Sequence, residues 1–216
     1  DGIFLIGTRH TKGSNALLKR AEIPIVEGWD LSDQPLDRVV GFSNADAIGK
    51  MVDHLLASGK RNIVFAGVVR KGDNRAAERR DAFEAKIAAC FPDEKPRMTI
   101  ETEMSLVMAS GVDLLNLVLT QYPDTDAIMF SSDILASGAL LETQRLGMNV
   151  PQQLAITGFG DFELSRHLVP PLTTVAVPSD EIGRKAGELL LNAMRGETSS
   201  QTRIDVGFEL KIRASG

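Results

Sequence analysis

The side chains best placed for chemistry are polar and aromatic groups standing directly behind apolar, strand-like runs. Thr8, Arg9 and His10 follow the run at 2–7, and Trp29 and Asp30 follow 23–27, while Phe42 stands apart, just ahead of a helical pattern. Ser132 and Asp133 come after 126–130, and Asp161 after 154–158. Arg79 and Arg80 lie in a helical pattern behind 62–67. In open α/β sheets ligands sit at the carboxyl ends of strands, on the loops that lead into helices. A guanidinium offers a rigid fork of donors to vicinal hydroxyls or a carboxylate. Asp30 can accept from a ligand's hydroxyls, and Trp29 or Phe42 can stack on the apolar face of a ligand. The chemistry of this set is recognition of a small polar molecule.

Each residue also has a plainer reading. Asp133 stands where a strand turns into a helix, and a carboxylate there commonly caps the helix. Asp30 and Asp161 can be loop carboxylates, Trp29 and Phe42 core aromatics. Spacing alone does not choose between Arg79 and Arg80, and either arginine can be solvated.

Catalytic and metal signals are missing. His10, His54 and His167 are scattered, and the single cysteine, Cys90, cannot build a zinc site. There is no GxSxG elbow and no HExxH. Ser58-Gly59-Lys60 resembles a fragment of a phosphate loop, but His54 occupies the place of the required first glycine. Gly59 reads instead as a helix stop. Neither enzymatic activity nor a cofactor or metal is expected.

The elements that must position these residues alternate along the chain. Helices are expected near 14–22, 44–58, 75–91, 107–122, 134–146 and 180–195, and strands near 2–7, 23–27, 62–67, 98–101, 126–130, 154–158, 172–177 and 203–212. Strand–helix alternation of this kind specifies an α/β fold with parallel sheets flanked by helices. Between 44 and 58, Ile48, Met51, Val52, Leu55 and Leu56 form one stripe, with Asn44 placed to cap and Gly59 to stop. No repeat or low-complexity tract interrupts the pattern. No apolar run approaches the roughly 18 residues of a membrane span. The net charge is −5, from 24 basic and 29 acidic side chains. A surface built for phosphates is basic, so this chain by itself should not grip nucleic acid. Cys90, inside a helical pattern, is expected to be a small buried hydrophobe in a reducing compartment.

Several segments resemble the LacI/GalR family of sugar-responsive transcription regulators. The most specific are Ser132-Asp133, Arg145-Leu146-Gly147 with Val150-Pro151, LAITGFGDF at 154–162 and PPLTTV at 170–175. Asp1-Gly2-Ile3, Ile23-Pro24-Ile25-Val26, Gly41-Phe42-Ser43-Asn44, HLLASGKRNIVFAG at 54–67 and the Arg79-to-Phe83 spacing match as well. The residues after the first strand and VVGFSN at 39–44 are similar to gluconate-operon repressors in particular.

The resemblance implies a two-lobed periplasmic-binding-protein-like fold with the effector between lobes, a first lobe that is N-terminally incomplete and an absent DNA-binding headpiece. Residues 1–42 and 179–203 would form the first lobe, 43–178 and 204–216 the second, with chain crossings near 42–43, 177–179 and 197–203. It selects Arg79 over Arg80 as an effector contact, followed by Ser132, Asp133, Asp30, Trp29, Phe42, Thr8, Arg9, His10 and Asp161. It further implies a cytoplasmic homodimer with the helix at 134–146 as a candidate interface. Operator DNA would be reached only through the headpiece. The runner-up is a periplasmic sugar-binding protein of a transport system.

Where relatives place an acid after the aromatic of GFD, this chain has Gly160. The expected binding loops carry Arg9, His10, Arg70, Lys71, Arg75 and Arg79 against Asp30, Asp73 and Asp161. That balance suits a sugar acid such as gluconate.

Overall fold

The computed structural model describes residues 1–197 and 201–216. In chain order its elements are β1 (Ile3–Ile6), α1 (Lys12–Arg20), β2 (Ile25–Gly28), β3 (Arg38–Gly41), α2 (Asn44–Ala57), β4 (Ile63–Val68), α3 (Asn74–Cys90) and β5 (Arg97–Glu101). They continue with α4 (Met108–Gln121), β6 (Ala127–Phe130), α5 (Asp133–Arg145), β7 (Ala155–Gly160) and β8 (Thr173–Ala176). The chain ends through α6 (Ser179–Met194), β9 (Arg203–Asp205) and β10 (Glu209–Lys211). A short 3-10 turn, Glu163–Arg166, separates β7 from β8. The chain divides into two compact units.

The first unit comprises Asp1–Asn44 and Val177–Phe208. Its strands run in parallel in the order β1-β2-β3-β9. Every residue of β2 is buried, whereas the outer strand β1 leaves Phe4 and Ile6 exposed. Helix α6 covers the sheet with Ile182, Ala186 and Leu189, which recur at i, i+4 and i+7.

The second unit comprises Ala45–Ala176 and Glu209–Gly216. Its sheet runs β10-β8-β7-β6-β4-β5, parallel except for β10 against β8. The central strands read as unbroken apolar runs because helices cover both faces. On one face Val64, Ala66, Ile128 and Phe130 meet Leu114 and Val118 of α4 and Leu135 and Ala139 of α5. Elsewhere Phe65 stacks on Phe83 of α3 with ring centroids 5.5 Å apart. Gly59 stops α2 as expected: its φ is +86°, and Lys60 donates back to the Leu55 carbonyl at 3.0 Å.

Four expectations change. Strand β3 was not anticipated, because its apolar core is only Val39-Val40. The expected strand at 203–212 divides between two sheets: Arg203–Asp205 pairs with β3, and Glu209–Lys211 pairs with β8. Between them Gly207 turns the chain at φ +69°, donating to Asp205 Oδ1 at 2.8 Å. Residues through 208 therefore belong to the first unit, not the second. The crossing expected near 197–203 lies partly on residues 198–200, outside those described. Asn44 is the first residue of α2 and donates its amide to Asp30 at 3.2 Å. Cys90 is exposed, because it is the last residue of α3 and Phe91 turns the chain away.

Helices α4 and α5 approach so closely that a Cβ on Gly138 would overlap the Met108 carbonyl, and one on Gly111 the Leu135 carbonyl. Backbone cannot yield as a side-chain tip can. Gly138→Ala should cost about 1–3 kcal/mol through overpacking. Gly49→Ala, on α2 with open space around it, should stabilise by about 0.5–1 kcal/mol. Urea denaturation of the two variants checks both signs; a neutral Gly138→Ala would refute the close-packing account.

Candidate functional site

In the second unit β4, β6 and β7 end side by side, and the loops and first helical turns beyond them carry Arg79, Ser131, Ser132, Asp133 and Asp161. Arg79 lies one helical turn before Phe83, whose burial fixes which way this face of α3 points. Its Nη1 donates to the Ser131 carbonyl at 2.7 Å, and its guanidinium carbon sits 4.1 Å from the centroid of the Phe159 ring. A cation over an aromatic face is attracted by the ring quadrupole. Arg80 instead turns to Asp81 at the surface. The neighbours differ because one helical position rotates a side chain by about 100°.

Ser132 caps α5, its hydroxyl accepting from the Ile134 amide at 3.4 Å. Asp133 opens the helix and is almost completely buried. Its Oδ2 accepts from the Phe162 amide at 2.9 Å and the Ser165 hydroxyl at 2.6 Å. Its Oδ1 accepts from the Thr174 hydroxyl at 2.5 Å. Room for this carboxylate exists because Gly158 has no side chain; a Cβ there would overlap Oδ1. Desolvation pushes the Asp133 carboxyl above the usual aspartate range, opposed by these three hydrogen bonds and reinforced by the charge of Asp161.

Asp161, at φ +52°, receives the Arg213 guanidinium at 2.6 Å, and Arg213 also donates to the Leu172 carbonyl at 2.7 Å. Of the charges counted from sequence, Asp161 is thus neutralised within the protein. Asp73 caps α3 through the Ala76 amide, and Arg70 donates to the Met104 carbonyl.

The first unit gathers a second set behind β1 and β2. Asp30 is buried, accepting from the Thr8 amide at 3.4 Å and from Asn44. His10 Nε2 lies 2.7 Å from Glu27 Oε1, and Glu27 Oε2 accepts from the Leu36 amide at 2.8 Å. Trp29 takes φ +73°, its ring 6.4 Å from that of Phe4, and stays half-buried. Arg9 is exposed. Phe42 is fully buried against Phe208, a core position more than a ligand-facing one.

The structure sets Thr8 against Asp30 and His10 against Glu27 in one unit, and in the other it sets Arg79 on the carbonyl of Ser131, next to Ser132 and Asp133. Sequence reading did not single out Glu27, Ser131, Phe159 or Arg213. Glu27 had a signal, being an acid inside a short apolar strand. The others follow from sheet order and side-chain direction, which no local pattern encodes. Among the described residues no group of three His, Cys, Asp or Glu side chains is placed to hold a metal ion, and no helix is long and apolar enough to cross a membrane.

Residues 52–216 match the family model of the periplasmic binding protein-like domain. A LacI family transcriptional regulator from Silicibacter pomeroyi is 37% identical in its solved structure, with a TM-score of 0.85 over 99% of this chain and 77% of that one. This chain belongs to the LacI family. The transcription regulator GntR from Chromobacterium violaceum superposes with a TM-score of 0.92 at 37% identity, covering 100% of this chain and 78% of that chain. The HTH-type transcriptional regulator GntR of Pseudomonas aeruginosa is 34% identical over 99% of this chain. The chain spans about 62% of the length of that LacI-family relative.

Asp133 predicts a pH signature. Its folded carboxyl keeps its proton to higher pH than an unfolded aspartate. The stability it contributes is therefore full below about pH 4 and is lost as pH rises through the folded value. Asp133→Asn cannot titrate. Urea unfolding at a series of pH values should show wild type losing stability relative to Asp133→Asn across that window, and parallel curves would refute the assignment.

Proposed function

We propose that this chain is the effector-sensing part of a transcription regulator that works in the cytoplasm and responds to a sugar acid such as gluconate. The observation that carries the chemical reading is Arg79, held on Phe159 and bonded to Ser131 where three parallel strands end. A guanidinium so oriented is preorganised for a carboxylate or vicinal hydroxyls. Gly160 leaves that edge without the acid that a neutral sugar would use as a hydroxyl acceptor, and Asp161 is already paired with Arg213. Ser132, Thr8, His10, Asp30, Trp29 and Arg9 are the remaining proposed contacts. Asp133 and Phe42 are given supporting roles, each within its own unit, since the carboxylate of one and the ring of the other are occupied inside the protein. Asp161 holds the loop after β7.

Regulation is proposed to work by linkage. Effector binds one state of the protein better than another, and operator DNA, reached through a separate headpiece, prefers one of them. Such coupling is typically about 1–3 kcal/mol. No catalytic step is proposed. A homodimer fits the same reading: Leu141 of α5 and Leu146 just past its end are exposed, as are Phe162, Leu164 and Val169, and Gln144 of α5 donates to the Val169 carbonyl. Exposed apolar side chains brought into one patch mark association surfaces.

Two measurements test the proposal. Titration calorimetry with gluconate, glucose and ribose in one buffer should rank gluconate first, and Arg79→Ala should weaken it by about 1.5–3 kcal/mol. Tighter binding of a neutral sugar would overturn the charge argument. Sedimentation of Leu164→Asp and Val169→Asp should show monomers where the parent protein sediments as a dimer, and unaltered dimers would move the interface elsewhere.

A further inference from the structure

Ser131 stands directly after β6 with 3% of its surface exposed. Its backbone is fully used: the amide donates to the Ala66 carbonyl at 2.9 Å, and the carbonyl accepts from Arg79 at 2.7 Å. Its hydroxyl is not used in this way. Among the described residues no hydrogen bond ends on Ser131 Oγ. A hydroxyl buried without a partner costs free energy, so its presence in a native fold calls for a reason. The Thr157 hydroxyl of β7 also lacks a partner, but it is shut inside the protein, two residues deeper in the sheet than the level of Ser131. Ser131 lies at the carboxyl edge, where the strands give way to loops.

Sheet register fixes what this hydroxyl faces. Phe65 pairs with Met129, and Met129 with Thr157. Two residues further along each strand, Gly67, Ser131 and Phe159 form one rung, and alternation puts their side chains on the same face as Phe65. That face is covered by α3, because Phe65 stacks on Phe83. One turn before Phe83, Arg79 reaches the outer rung and lays its guanidinium over the Phe159 ring. On the other side of Ser131 the rung ends in a glycine. A Cβ on Gly67 would stand 2.5 Å from Ser131 Oγ, so the hydroxyl has its place only because Gly67 has no side chain. Ser131 Oγ thus lies between Gly67 and the Arg79–Phe159 pair, on the face that Arg79 covers.

We propose that Ser131 is an effector contact, its hydroxyl donating a hydrogen bond to an oxygen of the same ligand group that Arg79 takes. The inference rests on the sugar-acid reading above and adds to it a residue that reads the ligand. A serine hydroxyl rotates to suit its partner and donates to a carboxylate or to another hydroxyl. The carboxylate is the stronger acceptor of the two, so the contact favours the acid. Without ligand the hydroxyl adds nothing to the fold; with ligand it gains the partner that its burial calls for. Affinity and stability are therefore separable at Ser131. They are not at Ser165, whose hydroxyl is spent on the buried Asp133 carboxylate at 2.6 Å.

The test sets Ser131→Ala and Ser131→Cys beside wild type, by urea denaturation without ligand and by calorimetry with gluconate and glucose. Ser131→Ala should unfold at the same or a higher urea concentration, because no internal hydrogen bond is lost. Its affinity for gluconate should fall by about tenfold or more, the effect of losing a hydrogen bond to a charged group. Ser131→Cys keeps the shape but donates weakly, so it should weaken gluconate similarly. Ser165→Ala is the contrast and should unfold at lower urea. Unchanged gluconate affinity in both Ser131 variants overturns the contact and leaves the sugar-acid reading, tested by Arg79→Ala, intact. A less stable Ser131→Ala overturns it as well, since the hydroxyl would then serve the fold. If wild type prefers glucose, the sugar-acid reading falls and the same comparison on glucose decides Ser131. Binding of neither overturns both.

Discussion

A carboxylate removed from water must be met by donors, and at Asp133 that requirement organises the functional edge of the second unit. Three donors converge on it from separate segments: the Phe162 amide and Ser165 hydroxyl of the loop after β7, and the Thr174 hydroxyl of β8. The helix that begins at Asp133 adds its own N-terminal partial charge. One side chain thereby fixes where α5 starts, how the loop after β7 folds back and where β8 lies. Ser132 and Ser131, one and two residues earlier, inherit their positions from it, and through the Ser131 carbonyl so does Arg79.

The same logic recurs in the first unit with different residues. Asp30 is buried where the backbone leaving β1 meets the start of α2, and it accepts from Thr8 and Asn44. Glu27, the next-to-last residue of β2, draws in His10 and the segment before β3. Buried acids at strand ends act here as assembly points, because a polar group with several lone pairs can satisfy several otherwise costly backbone and side-chain donors at once. The loops that result are ordered by their polar contacts, and they need few apolar ones.

Two groups near the strand ends are held in place by such contacts, Arg79 by Ser131 and Phe159 and His10 by Glu27. A donor already oriented loses less entropy when a ligand arrives.

The α/β class, the order of most elements and the helix stop at Gly59 were legible in the sequence, because period-2 and period-3.6 patterns and chain-reversal residues are local signals. So was the family, through motifs spread along the chain. Strand β3 was not, since two valines carry too little pattern. Nor was the division of 203–212, because alternation runs through Gly207 while the backbone partners change from β3 to β8. Arg79 was separable from Arg80 only by resemblance. The fold separates them physically, by burying Phe83 and setting Phe159, 80 residues later, beneath the guanidinium. The partners of Asp133 lie 29 to 41 residues away, and Arg213, the partner of Asp161, lies 52 away. Local sequence determines which groups stand at strand ends. Which of them face a ligand and which are consumed inside the protein is decided by contacts between distant segments, and those exist only once the sheets have closed.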